Sequence, residues 1–190
     1  DFTVCAVLDE SAEVMRAFAG HPTAAHRQAV AVVDAAYKVR IPKKADIVLA
    51  SSGGYPKDIN LYQAHKGIEN ARHAVRQGGT MIALAECPEG IGHKVFQQWI
   101  EEASGPQDVI DRLKRQFVFG GHKAVALARL AAVADTYLIS ALSRVDTERA
   151  FMKYASCAQN AVDAAVARYG PNPSIIVMPL ANVTLPVLLQ

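Results

Sequence analysis

The sequence predicts an α/β fold, in which a mostly parallel sheet carries helices on both faces and an N-terminal β-hairpin precedes it. Short, continuous apolar runs recur along the chain, as expected for strands buried on both faces. Helical patterns separate these runs, and strand alternating with helix favours right-handed crossovers between parallel strands. The length of 190 residues suits one large domain rather than two small ones.

The first 42 residues predict the hairpin, one helix and a short strand. Two β-prone apolar segments flank a turn-like Asp-Glu-Ser stretch, which is the pattern of a hairpin. An Ala- and Val-rich segment follows Pro22, and Pro42 ends the short strand. The expected elements are strands at 4–8 and 14–19, a helix at 24–36 and a strand at 37–41.

Residues 43–190 predict the α/β core. Four buried strands are expected, at residues 46–50, 80–85, 136–140 and 175–178. Helices are expected at residues 61–75, 92–103, 106–116, 122–133, 147–154 and 157–169. In the second of these helices, Trp99 lies on an apolar stripe and is predicted to be part of the core.

Composition excludes several classes of protein. Hydrophobic residues are 51% and charged residues 20% of the chain, which is typical of a globular protein. With 20 Lys and Arg against 18 Asp and Glu, the charge is too balanced for a nucleic-acid binder. No apolar run approaches the roughly 18 residues of a membrane span. The first residues lack a secretory pattern, and three widely spaced cysteines without a CxxC pair predict reduced thiols in the cytoplasm.

Function is expected at the carboxyl ends of the strands, where ligands bind in sheets of this kind. Three glycine-containing loops leave strand ends or open helices, at 51–60, 86–92 and 120–123. Adjacent glycines let a backbone turn tightly and approach a ligand, and the free N–H groups of a following helix favour an anion.

Gln63 and Lys66 are the leading candidate binding residues. They lie three residues apart at the start of the helix after the first loop, opposite the apolar stripe of that helix. An amide and an ammonium there suit a carboxylate or hydroxyl substrate. The alternative is structural: Asn60 with Gln63 approaches a capping box, and Lys66 then belongs to a solvated face.

Other candidates are weaker. His122 and Lys123 open a helix, where positive charge opposes the helix dipole unless an anion lies nearby. Glu86 ends a strand and suits an acid, a base or a cap of the next helix. Cys87 would need an activating base to act as a nucleophile. The six histidines form no HExxH or HxxxH pair and no GxGxxG fingerprint is present, so neither a metal site nor a dinucleotide site is predicted.

Several stretches together resemble the nickel-dependent lactate racemase family. The longest reads Gly-Gly-Tyr-Pro-Lys-Asp-Ile-Asn-Leu-Tyr-Gln at 53–63, and it is long and unusual enough to be specific. Further matches are Ala-Glu-Cys-Pro-Glu-Gly-Ile-Gly-His at 85–93, Gly-Gly-His-Lys-Ala at 120–124 and Leu-Pro-Val-Leu at 185–188. The resemblance extends over nearly the whole chain.

The resemblance implies a two-domain enzyme of which residues 1–190 form the C-terminal, Rossmann-like, substrate-closing domain. It also implies a nickel-pincer nucleotide anchored in the N-terminal domain of the same protein, together with the nickel ligand and the acid and base. No catalytic and no metal-binding residue is therefore expected in this chain, which alone should be inactive.

The implied reaction is racemisation or epimerisation of a small 2-hydroxy acid by removal and return of a hydride. In that scheme Gln63 and Lys66 contact the substrate, and Tyr62 and Lys123 are further candidates. Because the Gly-Gly-His-Lys-Ala segment departs from the pattern expected of a lactate enzyme, a larger acid or one with a second carboxylate facing Lys123 is an alternative. Two other functions stay open: a Rossmann-like module for a nucleotide or S-adenosylmethionine, and a non-catalytic interaction domain.

Overall fold

The computed structural model describes residues 1–9 and 11–189. The chain divides into two compact units, Asp1–Val39 and Arg40–Gln190. Within the described residues, no helix is long and apolar enough to cross a membrane.

The first unit is a hairpin and a helix. Strands β1 (Thr3–Leu8) and β2 (Val14–Gly20) pair antiparallel, with a register shift between Val7 and Leu8. Helix α1 (Pro22–Tyr37) has proline in its first turn, where a missing N–H costs nothing. The Tyr37 hydroxyl donates to the Leu8 carbonyl at 2.6 Å, which ties the end of the helix to the hairpin.

The second unit is built on a five-stranded parallel sheet. A short strand β3 (Lys38–Ile41) leads into it across the boundary between the units. The sheet strands are β4 (Ala45–Ser51), β5 (Val75–Leu84), β6 (Ala134–Ile139), β7 (Lys153–Tyr154) and β8 (Ile175–Met178). Their order is β7-β6-β5-β4-β8, and every pair is parallel. Strand β9 (Leu185–Leu188) pairs with β3.

Helices cover both faces of this sheet. They are α2 (Leu61–Ala71), α3 (Lys94–Glu101), α4 (Pro106–Arg115), α5 (Gly121–Ala131), α6 (Arg144–Arg149) and α7 (Ala158–Tyr169), with a 3-10 turn at Ala181–Val183. Apolar residues of α2, α3 and α5 form one core with one face of β4 and β5. Ala161 and Ala165 of α7 pack on Ile47 and Ile82 on the other face. The predicted α/β class and the N-terminal hairpin are confirmed, as is Trp99 in the core, at 2% exposure.

The predicted helix over 61–75 is too long. Helix α2 ends at Ala71, and β5 begins at Val75, where the sequence predicted the strand only from residue 80. The Ala45 N–H donates to the Ala74 carbonyl at 2.8 Å. Residues 74 and 75 therefore pair with the start of β4 instead of continuing the helix. Four residues of β5 then bulge opposite Asp46 before the register resumes at Ile47 and Thr80.

The predicted helix over 147–154 is wrong at both ends. Helix α6 covers Arg144–Arg149, because the Ser143 hydroxyl caps it by accepting from the Asp146 N–H at 3.0 Å. Phe151, with φ of 64°, turns the chain away from helical geometry. Lys153 and Tyr154 then form the edge strand β7, which the sequence had assigned to the helix.

Candidate functional site

The loop between β4 and α2 turns on Gly53 and Gly54, whose φ angles are 83° and 75°. These left-handed conformations favour glycine. Asn60 caps α2, its side-chain oxygen accepting from the Gln63 N–H at 3.0 Å. The N–H groups of Leu61 and Tyr62 donate to carbonyls of the β5–α3 loop at 3.0 Å. The two loops that leave the carboxyl edge of β4 and β5 are therefore joined at the start of α2.

Gln63 and Lys66 lie in the first turns of α2, on the side away from its buried stripe. Gln63 is half-buried and Lys66 is exposed. The capping box expected as the structural alternative is only half formed: Asn60 accepts from the backbone of Gln63, but the Gln63 Oε1 accepts from Lys66 Nζ at 2.8 Å. The two side chains are thus paired with each other and oriented together.

Lys123 reaches the same turn from a different helix. Helix α5 runs back toward the amino end of β6, so its N-terminus lies at the carboxyl edge of the sheet. Lys123 Nζ donates to the Tyr62 carbonyl at 2.8 Å and lies 3.5 Å from the centre of the Tyr62 ring. Burial, and then the charge of Lys66, lower the pKa of Lys123 to about 8. We call Tyr62, Gln63, Lys66 and Lys123 the lysine site.

A row of aromatic rings borders the lysine site. Tyr62 stacks on His93 with ring centres 4.9 Å apart, His93 meets Phe119 edge-on at 5.9 Å, and Phe119 lies 5.7 Å from His122. We call Tyr62, His93, Phe119 and His122 the ring wall. Phe119 is 67% exposed, so the wall presents apolar surface to the surroundings.

Two rings, His93 of the ring wall and Trp99 of the core, explain the paired glycines before His122. A Cβ at Gly120 would lie 2.6 Å from the His93 ring, and a Cβ at Gly121 would lie 2.5 Å from the Trp99 ring. Only glycine permits such close approach of the α5 terminus to those rings. The two glycines therefore allow the start of α5 to pack closely enough for Lys123 to contact Tyr62.

His65 lies buried beside the lysines, at 8% exposure. Burial first, and then the charge of Lys123, lower the pKa of His65 to about 4. Its Nδ1 has no hydrogen-bond partner among the described residues. The imidazole is therefore neutral at physiological pH, which keeps a further positive charge out of the region.

The structure does not support Cys87 as a nucleophile, and it places the Glu86 side chain at an exposed position. Cys87 is buried, and burial followed by the charges of Asp58 and Glu86 raises the pKa of its thiol to about 12. A protonated thiol is a poor nucleophile, which argues against that role. Glu86 is exposed, and its backbone N–H donates to the Asp58 carboxylate at 3.0 Å. Asp58 thereby holds the β5–α3 loop in place.

Sequence reasoning missed part of this arrangement. The sequence does not single out His93 and Phe119, which complete the ring wall. It points to His65 only as one of six histidines that form no metal-binding pair, and not as a buried group beside the lysines. The usable signal was the Gly-Gly pair, because glycines at the start of a helix indicate that something packs closely there. Among residues 1–9 and 11–189, no group of three or more His, Cys, Asp or Glu side chains is placed to hold a metal ion.

Comparison with known proteins identifies the family. The model of the lactate racemase C-terminal domain matches residues 41–184. The chain is 40% identical over 112 residues to a lactate racemase of Thermoanaerobacterium thermosaccharolyticum, a match covering 59% of this chain and 26% of that protein. It is 29% identical over 144 residues to a lactate racemase of Lactiplantibacillus plantarum, covering 76% of this chain and 31% of that protein.

Two solved structures have a fold similar to that of this chain. The structure of the lactate racemase apoprotein from Thermoanaerobacterium thermosaccharolyticum superposes with a TM-score of 0.87 at 30% identity, over 98% of this chain and 46% of that one. A Thermotoga maritima protein shares the fold, with a TM-score of 0.66 at 15% identity, over 98% of this chain and 49% of that one. This chain thus spans less than half the length of the proteins it resembles. Since the family model covers most of its residues, the chain belongs to the lactate racemase C-terminal domain family.

Proposed function

We propose that this chain is the substrate-closing domain of a racemase or epimerase of 2-hydroxy acids, an isomerase, and that Gln63 and Lys66 hold the acid. The observation that carries the proposal is the pairing of the Gln63 Oε1 with Lys66 Nζ at 2.8 Å, on the first turns of a helix at the carboxyl edge of the sheet. Membership of the lactate racemase C-terminal domain family supplies the reaction class.

The chemistry of this pair suits a hydroxy acid. The Lys66 ammonium has two N–H donors beyond the one given to Gln63, and a carboxylate accepts such donors as charge-assisted hydrogen bonds. The Gln63 amide NH2 is left to donate to a hydroxyl or keto oxygen. Holding both ends of a small acid fixes which face of its reacting carbon is presented. Tyr62 and Lys123 form the adjoining side of the proposed site.

The cofactor expected for the family is a nickel-pincer nucleotide. Among the described residues, no group of three or more His, Cys, Asp or Glu side chains is placed to hold a metal ion. We propose that the N-terminal domain of the same protein holds the cofactor and supplies the catalytic acid and base. Residues 1–190 then bind the 2-hydroxy acid substrate and cover it. The three free cysteines, Cys5, Cys87 and Cys157, support a cytoplasmic location.

The test uses the complete protein, matured with the enzymes that build its cofactor. Loss of optical activity is followed with a panel of 2-hydroxy acids, and nickel content is measured in parallel. Gln63→Ala and Lys66→Ala are each expected to lower kcat/KM at least tenfold, since each removes a contact to a charged or strongly polar substrate group. If both variants stay within twofold of the parent, the site assignment is wrong.

Two matched substitutions control for surface effects. Gln28→Ala and Lys43→Ala remove the same side-chain types from exposed positions elsewhere, and kcat/KM should not change. A protein that contains nickel yet leaves every acid of the panel optically unchanged would overturn the proposed reaction. Tight binding of NAD or S-adenosylmethionine would instead favour the alternative of a nucleotide-binding module.

A further inference from the structure

We propose that the acid taken by the lysine site carries two carboxylates, one held by Lys66 and the other by Lys123. This inference rests on the proposed function and narrows it to 2-hydroxy dicarboxylic acids. It assigns Lys123 a specificity-determining role in addition to its contact with Tyr62.

The balance of charge at the lysine site favours a ligand with two carboxylates. Two ammonium groups from different helices, α2 and α5, converge on one turn, yet in the described part of the chain neither forms an ion pair with a carboxylate. Lys114 and Lys153, by contrast, each have an aspartate partner within 3 Å. A monocarboxylate would neutralise only one of the two charges, whereas a dicarboxylate neutralises both.

Both lysines keep N–H donors that a ligand can use. Lys66 donates to an amide oxygen and Lys123 to a backbone carbonyl, both of them neutral acceptors. Each ammonium has three N–H donors, so each keeps two for a ligand. Both helices have 11 residues, and both direct their N-terminal N–H groups toward this edge, where negative charge is favoured.

The surroundings of Lys123 disfavour its positive charge. It is half-buried, and both its burial and the nearby Lys66 lower its pKa to about 8. On α2, His65 is kept neutral by burial and by the same lysines. The other titratable rings at this edge are His93 and His122, and neither supplies negative charge. A carboxylate of the substrate beside Lys123 would supply the negative charge that the described residues around it do not.

The decisive measurement is proton uptake on binding. At pH 8, a Lys123 with a pKa of about 8 is roughly half protonated, and a carboxylate bound to it raises that pKa. Calorimetric titration of the complete protein with malate, in buffers of different ionisation enthalpy, should therefore show uptake approaching about half a proton. Titration with lactate should show almost none. Equal uptake with the two acids would overturn the inference.

Substitutions separate this inference from the proposed function. Lys123→Met should abolish the uptake and lower kcat/KM for malate at least tenfold more than it lowers kcat/KM for lactate. Lys123→Arg keeps the charge and should retain the preference for malate. Lys43→Met, at an exposed position, is the matched control.

The outcomes are distinguishable. If Lys123→Met lowers kcat/KM equally for both acids, or if lactate is the better substrate, the dicarboxylate inference fails and the racemase proposal stands. If malate binds with Lys123-dependent proton uptake but no 2-hydroxy acid loses optical activity, the racemase proposal fails and the dicarboxylate site stands.

Discussion

The two edges of the parallel sheet differ in how their charged side chains are paired. At the amino edge, Asp46 accepts from Arg76 Nε at 2.7 Å and from the Ser174 hydroxyl and N–H at 2.6 and 2.8 Å. Asp135, at the start of β6, pairs with both Lys153 and Arg168. At the carboxyl edge, Lys66 and Lys123 bond only to neutral oxygens, and His65 is buried without a partner at Nδ1 among the described residues.

The paired aspartates of the amino edge stabilise the fold, whereas the lysines of the carboxyl edge keep donors available for a ligand. A carboxylate with three charge-assisted or neutral donors is satisfied, and its removal should cost stability alone. An ammonium at Lys123 without a carboxylate partner costs free energy, because its burial and the nearby charge of Lys66 both disfavour it. The carboxyl edge therefore carries an unfavourable electrostatic arrangement that binding of an anion would relieve.

The largest expected effect is a loss of stability in mild acid that originates at the carboxyl edge. Since His65 has a folded-state pKa of about 4 against an ordinary 6.5, the unfolded chain takes up a proton first as the pH falls. The free energy of unfolding should thus fall by about 3 kcal/mol between pH 6.5 and pH 4, and then level off. Urea unfolding at a series of pH values measures it.

The control for this effect is His26→Gln, at an exposed position of α1, which should keep the full decline. His65→Gln should remove most of the decline between pH 6.5 and pH 4, whatever its own stability at pH 7. A decline of equal size in the His65 variant and the parent would show that the carboxyl edge is not its source.

A smaller effect is expected from adding a methyl group between the start of α5 and the buried Trp99 ring. Gly121→Ala places a Cβ about 2.5 Å from the Trp99 ring, and overpacking of this kind costs about 2 kcal/mol beyond the gain in helix propensity. Gly105→Ala is the matched control, because its Cβ would meet open space. Denaturant unfolding should distinguish the two; equal midpoints would mean that α5 is not held by this contact.

The smallest of the three effects belongs to the amino edge. Asp46→Ala should lower the free energy of unfolding by about 1.5 kcal/mol, since three donors lose a partly exposed acceptor. Asp111→Ala, at an exposed ion pair screened by solvent, should cost clearly less than Asp46→Ala. Unlike changes at the lysine site, Asp46→Ala should leave kcat/KM of the mature protein within twofold.

The Asp46 effect has its own pH range. The Ser174 and Arg76 hydrogen bonds hold the pKa of Asp46 well below its ordinary value of 3.8. Its contribution is therefore complete above about pH 5 and is lost only as the pH falls below about 4. The stability difference between parent and Asp46→Ala should be constant from pH 7 to pH 5 and shrink below that. A difference that already shrinks between pH 6.5 and pH 5 would contradict the separation of the two edges.

The sequence predicted the strands and helices best where periodicity and local capping agree. Strand β8 was predicted without error at 175–178 because a short apolar run is bounded by turn residues. Helix α2 was predicted four residues too long, since Val75 continues its apolar stripe but pairs with Ala45 instead. Local pattern could not foresee this, because the competing hydrogen bond comes from another strand.

The sequence by itself determined the α/β class and the placement of Gln63 and Lys66 on the exposed side of α2, since both follow from the period of a helix and its apolar stripe. Only the tertiary structure decided that Lys123 meets Tyr62, 61 residues earlier in the chain, and that His65 is buried where the charges of Lys123 and Lys66 act on it. The physical reason is that charge, burial and ring contacts at the carboxyl edge depend on the close approach of α5 to His93 and Trp99, which two glycines permit.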